Sequence, residues 1–142
     1  MIVCGIDKSQ TAKEALRFAL HEATLRGTRL RVVHAWSMAP IVEMTGPGMI
    51  PVYDASSVRA SAEKTLSSIV ADVAGERAAE VERVLAEGPA GEAILANAHD
   101  AELVVVGSRG FGAVRGFMLG SVSQHVVHGA TCPVVVVPRR GS

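Results

Sequence analysis

The chain has 142 residues, 49% of them hydrophobic but only 4% aromatic, and a formal net charge of zero. That is the size of one domain with a full core, 1–142, and its Val- and Ala-rich composition suits buried parallel strands in an α/β protein. The two cysteines, Cys4 and Cys132, exclude a disulfide framework and a CxxC metal pair, and neutral charge gives no expectation of a nucleic-acid partner.

The N-terminal run Ile2-Val3-Cys4-Gly5-Ile6 predicts a first strand, with Asp7 at its carboxyl end. It lacks the basic start and long apolar run of a signal peptide. No segment reaches the ~18 apolar residues that cross a membrane. A cytoplasmic protein with no membrane partner is therefore expected. Ser9 or Thr11 offers an N-cap to the first helix, and Thr11-x-x-Glu14 fits a capping box. Ala12, Ala15, Leu16, Ala19, Leu20 and Ala23 recur at helical spacing until Gly27 stops the helix. Residues 29–36 read as the second strand, with His34 facing a helix. Residues 37–54 form a long Pro/Gly/Met-rich connection that reads either as a binding loop or as a disordered insertion.

A second helix is predicted over 55–74, with Val58, Ala62, Leu66, Ile69, Val70 and Val73 inward. Residues 80–86 alternate and predict a half-buried third strand near a sheet edge. Gly88-Pro89 opens a short helix with Ile94, Leu95 and Ala98 inward; 103–106 is the fourth strand; a fourth helix starts near Gly120; and 134–137 is the fifth strand. Strands alternating with helices imply a doubly wound five-stranded parallel sheet with helices on both faces. Such sheets bind ligands beyond the strands' carboxyl ends, where the winding reverses. Asp7 and the loop after Val106 should therefore share one crevice.

That loop holds the most informative pattern: Gly107-Ser108-Arg109-Gly110, nine residues, then Gly120-Ser121-Val122-Ser123. Glycines let backbone N–H groups approach an anion, and a helix N-terminus adds unpaired donors and the positive end of a dipole. Glu102 is the last acidic residue, so 103–142 carry four arginines and no carboxylate, a local +4 against −4 (10 basic, 14 acidic) for the first 102 residues. An acid-free segment around the glycines favours an anionic ligand. A P-loop is excluded because no lysine follows Lys64, and the GxGxxG spacing is absent from the first strand–helix turn. His125 and His128 stand at i, i+3, yet with no Cys, Asp or Glu in their segment they read as packing or surface residues rather than metal ligands.

The ordered set G-x2-G-x9-G-[ST] at Gly107, Gly110, Gly120 and Ser121 resembles the universal stress protein family, specifically its ATP-binding branch. Val3–Ser9, Val33-His34-Ala35, Gly88-Pro89-Ala90 and Cys132-Pro133 followed by four valines extend the resemblance over nearly the whole chain. It implies a Rossmann-like, adenine-nucleotide alpha hydrolase-like sheet of order 3-2-1-4-5. It further implies that ATP, AMP or another adenine nucleotide binds, with or without Mg²⁺. Asp7 would take the ribose hydroxyls, a carboxylate being the natural acceptor for two O–H donors. Gly5 and Ile6 would wall the adenine, and Ala35 would offer it backbone hydrogen bonds. Val106, Gly107, Arg109 and Gly110 would line the ribose and α-phosphate, and Gly120, Ser121, Val122 and Ser123 would hold the β- and γ-phosphates. Lys8 replaces a glycine common among relatives and either brings a cation to the rim or faces solvent. A homodimer through strand 134–137, acting in stress adaptation, is likewise implied. No catalytic constellation is evident, so binding rather than enzymatic turnover is expected; the alternatives are a slow ATPase or autophosphorylating protein and a nucleotide-free interaction module.

Overall fold

The computed structural model describes residues 1–38, 55–109 and 119–140. Most of the long connection (39–54), and Gly110 with its neighbours to 118, lie outside the described residues. The elements run β1 (Ile2–Ile6), α1 (Gln10–Arg26), β2 (Leu30–Trp36), α2 (Ala55–Ala74), a 3₁₀ turn (Gly75–Glu80), β3 (Glu82–Glu87), α3 (Ala90–Ala96), β4 (Leu103–Gly107), α4 (Ser121–Gly129) and β5 (Val134–Val137). All strand pairs are parallel, in the order β3-β2-β1-β4-β5. This is the doubly wound sheet expected.

Each face of the sheet has its own core. On one face α1 and α2 bury Ala15, Leu16, Ala19, Leu66 and Val70 against Cys4, Val32 and Val105. On the other, Ala93 and Ile94 of α3 and Val126 of α4 cover Val3, Val33, Val104 and Val106. Alternation along a strand sends successive side chains to opposite faces, so buried strands need apolar residues at every position. β1 meets that demand, being buried throughout. The α3 and α4 helices approach closely at two glycines. A Cβ on Gly91 would stand 2.7 Å from His125 Cδ2, and one on Gly129 would collide with Leu95.

The structure settles the first cap and corrects several expectations. Ser9, not Thr11, caps α1: its backbone is extended (φ −75°, ψ 157°) and its Oγ accepts the Ala12 N–H at 3.1 Å. Thr11 lies inside the helix, 3% exposed, and its methyl packs where a Cβ on Gly107 would stand. Glu14 closes no capping box; its Oε2 is buried with no hydrogen-bond partner among the described residues. Val58 is 36% exposed rather than inward, since it lies in the first turn of α2, before the helix reaches its core contacts at Ala62 and Leu66. Leu20, Val73 and Leu95 are half-buried, packing at the margins of the two cores. The third strand starts at Glu82 because residues Gly75–Glu80 form the 3₁₀ turn. Gly27 ends α1 as expected, in the left-handed conformation (φ 61°) that glycine adopts without strain.

Arg31 ties the amino-terminal end of the sheet, bonding Glu82 of β3 at 3.0 Å and Asp100 and the Asn97 carbonyl at 2.8 Å each. The hydrogen bond from Arg31 holds the Asp100 carboxyl below its usual range. Ser9→Ala removes the α1 cap and is expected to cost about 1 kcal/mol, lowering Tm by about 3 °C in thermal unfolding followed by circular dichroism.

Candidate functional site

The crevice arises where β1 and β4 part. Their pairing runs Ile2↔Leu103, Val3↔Val104 and Cys4↔Val105. Beyond that rung β1 stays with β2 through Ile6↔His34, while β4 stays with β5 through Gly107↔Val137. The chain then leaves β1 for α1 on one face, whereas the helix after β4, α4, lies on the other. This is the reversal at which doubly wound sheets take ligands.

On the β1 side, Asp7 is partly exposed and its Oδ1 accepts the Ser9 N–H at 2.8 Å, an Asx turn that sets up the cap of α1. The carboxylate therefore has one oxygen directed into the chain turn. Lys8 beside it is exposed to solvent. Gly5 is required by packing: a Cβ there would lie 2.8 Å from Ile94 Cγ1, so its absence lets α3 rest on β1. Ile6 sends its side chain into the core beneath α1 and α2, and offers the crevice only main chain. Ala35 packs at the edge of the opposite core, its backbone paired in register with Ala86.

On the β4 side, Val106 is 2% exposed, and Gly107 meets α1, where a Cβ would stand 2.8 Å from Thr11 Cγ2. Arg109 follows at the crevice rim, half-buried, and Gly110 lies outside the described residues. Gly120 caps α4 with extended backbone (φ −62°, ψ 161°) and no side-chain hydrogen bond. The first N–H groups of a helix have no intrahelical partner. In α4 no side chain among the described residues caps them, whereas Ser9 satisfies one of those in α1. Ser121 is exposed, and Val122 packs against the α3–α4 core. Ser123 differs from both. It is 2% exposed, and its Oγ lies 2.9 Å from the Gly120 carbonyl and 3.3 Å from that of Ser108. Ser123 therefore braces the turn from within.

Sequence reasoning missed two residues. Ser108 joins three segments through its main chain: its N–H donates to the Val137 carbonyl at 2.8 Å and its carbonyl accepts the Gly120 N–H at 2.8 Å. No side-chain pattern announces a role carried by backbone atoms. His34 is 7% exposed and its Nδ1 lies 3.0 Å from the Ile6 carbonyl. Its place opposite Ile6 becomes legible only once the β1–β2 register is known.

His125, placed by spacing beside His128, packs over Gly91 of α3. A separate cleft of about 170 Å³, lined by Leu95, His99, Val104, Thr131 and Cys132, opens near the other end of β4. No described helix is long and apolar enough to cross a membrane.

The parallel sheet with its crevice at the winding reversal places the chain in the doubly wound α/β class. The universal stress protein family profile matches residues 1–138, and the chain belongs to that family. It is 38% identical to a universal stress protein of Thermus aquaticus over 140 residues, 96% of each chain. It is 40% identical to one of Mycobacterium tuberculosis over 142 residues, covering 95% of this chain but 44% of that protein. The chain thus spans less than half the length of that relative. Among solved structures, a universal stress protein from Archaeoglobus fulgidus superposes with TM-score 0.71 at 30% identity, over 96% of both chains. Another from the same organism, in complex with dAMP, gives TM-score 0.67 at 32% identity, over 96% of this chain and 95% of that one.

Burial raises the Cys4 thiol to about 12, and Cys4 is 0% exposed. It is therefore expected to resist a thiol reagent such as dithionitrobenzoate until the protein unfolds. Cys132→Ser should then abolish whatever labelling the native protein shows.

Proposed function

We propose that the crevice binds an adenine nucleotide, ATP or AMP, with or without Mg²⁺, and that the protein belongs to the ATP-binding branch of its family. The observation that carries this reading is the uncapped N-terminus of α4, set beside the parted strands in an acid-free stretch of chain. Backbone donors with a positive dipole end favour phosphate there. The 32%-identical relative in complex with dAMP supports the nucleoside part. In this reading Asp7 receives the ribose hydroxyls. The main chain of Gly5, Ile6 and Ala35 borders the base. Val106, Gly107, Arg109 and Gly110 follow the ribose and α-phosphate, and Ser121 and Val122 supply N–H groups to the distal phosphates beside Gly120, whose own N–H is held by the Ser108 carbonyl. Ser123 holds their turn in shape. Asp7 is the one carboxylate among the described residues at the crevice, and the resemblance assigns it to ribose, so the reading is binding rather than turnover, in a cytoplasmic protein acting in stress adaptation.

Isothermal calorimetry with ATP and with AMP tests this directly. Heat of binding for either is expected, and none at millimolar ligand overturns the reading. Ser121→Asp places a carboxylate in the first turn of α4. It should weaken ATP by about tenfold or more, and AMP less, while leaving thermal stability equal or slightly higher because the charge suits the helix dipole.

We also propose that two copies pair through β5. The strand ends the sheet, and its four valines are all half-buried, Val135 and Val137 toward one core and Val134 and Val136 toward the other. An apolar edge strand of this kind invites pairing by another strand. Val135→Lys is expected to give monomers in analytical ultracentrifugation where the unmodified chain sediments as a dimer; a persisting dimer places the interface elsewhere.

A further inference from the structure

The tip of β1 has an unusual mechanical position. A strand inside a parallel sheet is normally held from both sides, but β4 leaves β1 after Cys4↔Val105, so Ile6 is held from the β2 side alone. At that rung His34 adds a side-chain contact to the backbone ladder. Its ring is 7% exposed, and Nδ1 lies 3.0 Å from the Ile6 carbonyl oxygen. A carbonyl oxygen only accepts, so Nδ1 carries the hydrogen, whether the ring is neutral or protonated.

We infer that His34 is a positioning residue for the crevice: by holding the Ile6 carbonyl it fixes the peptide that carries Asp7. The peptide unit is planar, so anchoring its oxygen also sets the direction of the Asp7 N–H and the position of the Asp7 Cα. One residue later the Asp7 carboxylate receives the Ser9 N–H, and Ser9 caps α1. The series His34, Ile6 carbonyl, Asp7, Ser9 therefore connects β2 to the start of α1 across the open end of β1. His34 reaches it from below. By alternation with Leu30 and Val32, its side chain falls on the face covered by α1 and α2, opposite the one on which Gly5 meets α3. It thus acts on Asp7 without occupying the space a ligand would fill. This inference rests on the nucleotide reading for the identity of the ligand, though not for the anchoring itself.

Two measurements test it. The first needs no ligand. In His34→Leu, the Ser9 amide should exchange its hydrogen several-fold faster than in the unmodified protein, while amides in the middle of α1 keep their rates. His34→Asn, whose side-chain nitrogen stands the same number of bonds from Cα as Nδ1, should restore slow exchange. The second is ATP calorimetry. His34→Leu should weaken binding by about tenfold, the scale of one lost hydrogen bond, and His34→Asn by no more than about threefold. In an Asp7→Asn background the His34→Leu loss should shrink to less than about twofold, because the two residues act in series. A purely structural role predicts the same loss in both backgrounds, and that result overturns the inference. Unchanged Ser9 exchange in His34→Leu overturns it as well. If the unmodified protein takes up no adenine nucleotide, the nucleotide reading and the ligand half of this inference fall together. Ser9 exchange still decides the anchoring half on its own.

Discussion

The structure depends on one limit to strand pairing. β1 sits at the centre of the sheet, between β2 and β4, and β4 accompanies it only as far as Val105. Up to that rung the strands are buried, apolar and evenly spaced. Past it, the chain leaving β1 enters α1 on one face, while α4, the helix after β4, lies on the other. Two backbones that continue in different directions cannot keep a common ladder, and the gap between them becomes the crevice. Gly5 and Gly107 keep it shaped, one by admitting Ile94 and the other by admitting Thr11.

The two helix starts beside this gap are treated differently. That of α1 is served by Ser9, itself set by Asp7, and is satisfied from within the chain. That of α4 begins at a glycine without a capping side chain, and its serine at 123 turns inward to carbonyl oxygens. Helix ends leave several N–H groups without partners. Among the described residues a side chain caps the first of these two helix starts and none caps the second.

Much of this was legible in the sequence, for identifiable reasons. The valine runs at 103–106 and 134–137 leave no alternative to buried or edge strands, and the Ala/Leu spacing of α1 ends where Gly27 takes its positive φ. The glycine pattern located the β4 side of the crevice. The first cap stayed open in the sequence because Ser9 and Thr11 both satisfy the local rule, and only the extended backbone of Ser9 with its Oγ on the Ala12 N–H decides between them. Val58 misled because periodicity says which face turns inward, not how far along the helix the core extends. The sequence placed His34 facing a helix but not its contact, because its partner is a carbonyl 28 positions earlier, reached through strand register.

Ser108 shows what backbone wiring implies for how such a site changes over time. Its N–H reaches the last residue of β5 and its carbonyl reaches the start of α4, so the rim of the crevice and the border strand share a fastening. Because that fastening uses main-chain atoms, almost any side chain at position 108 preserves it, and proline, which lacks the N–H, breaks it. Residue identity at 108 can therefore drift while the coupling between the two regions stays constant.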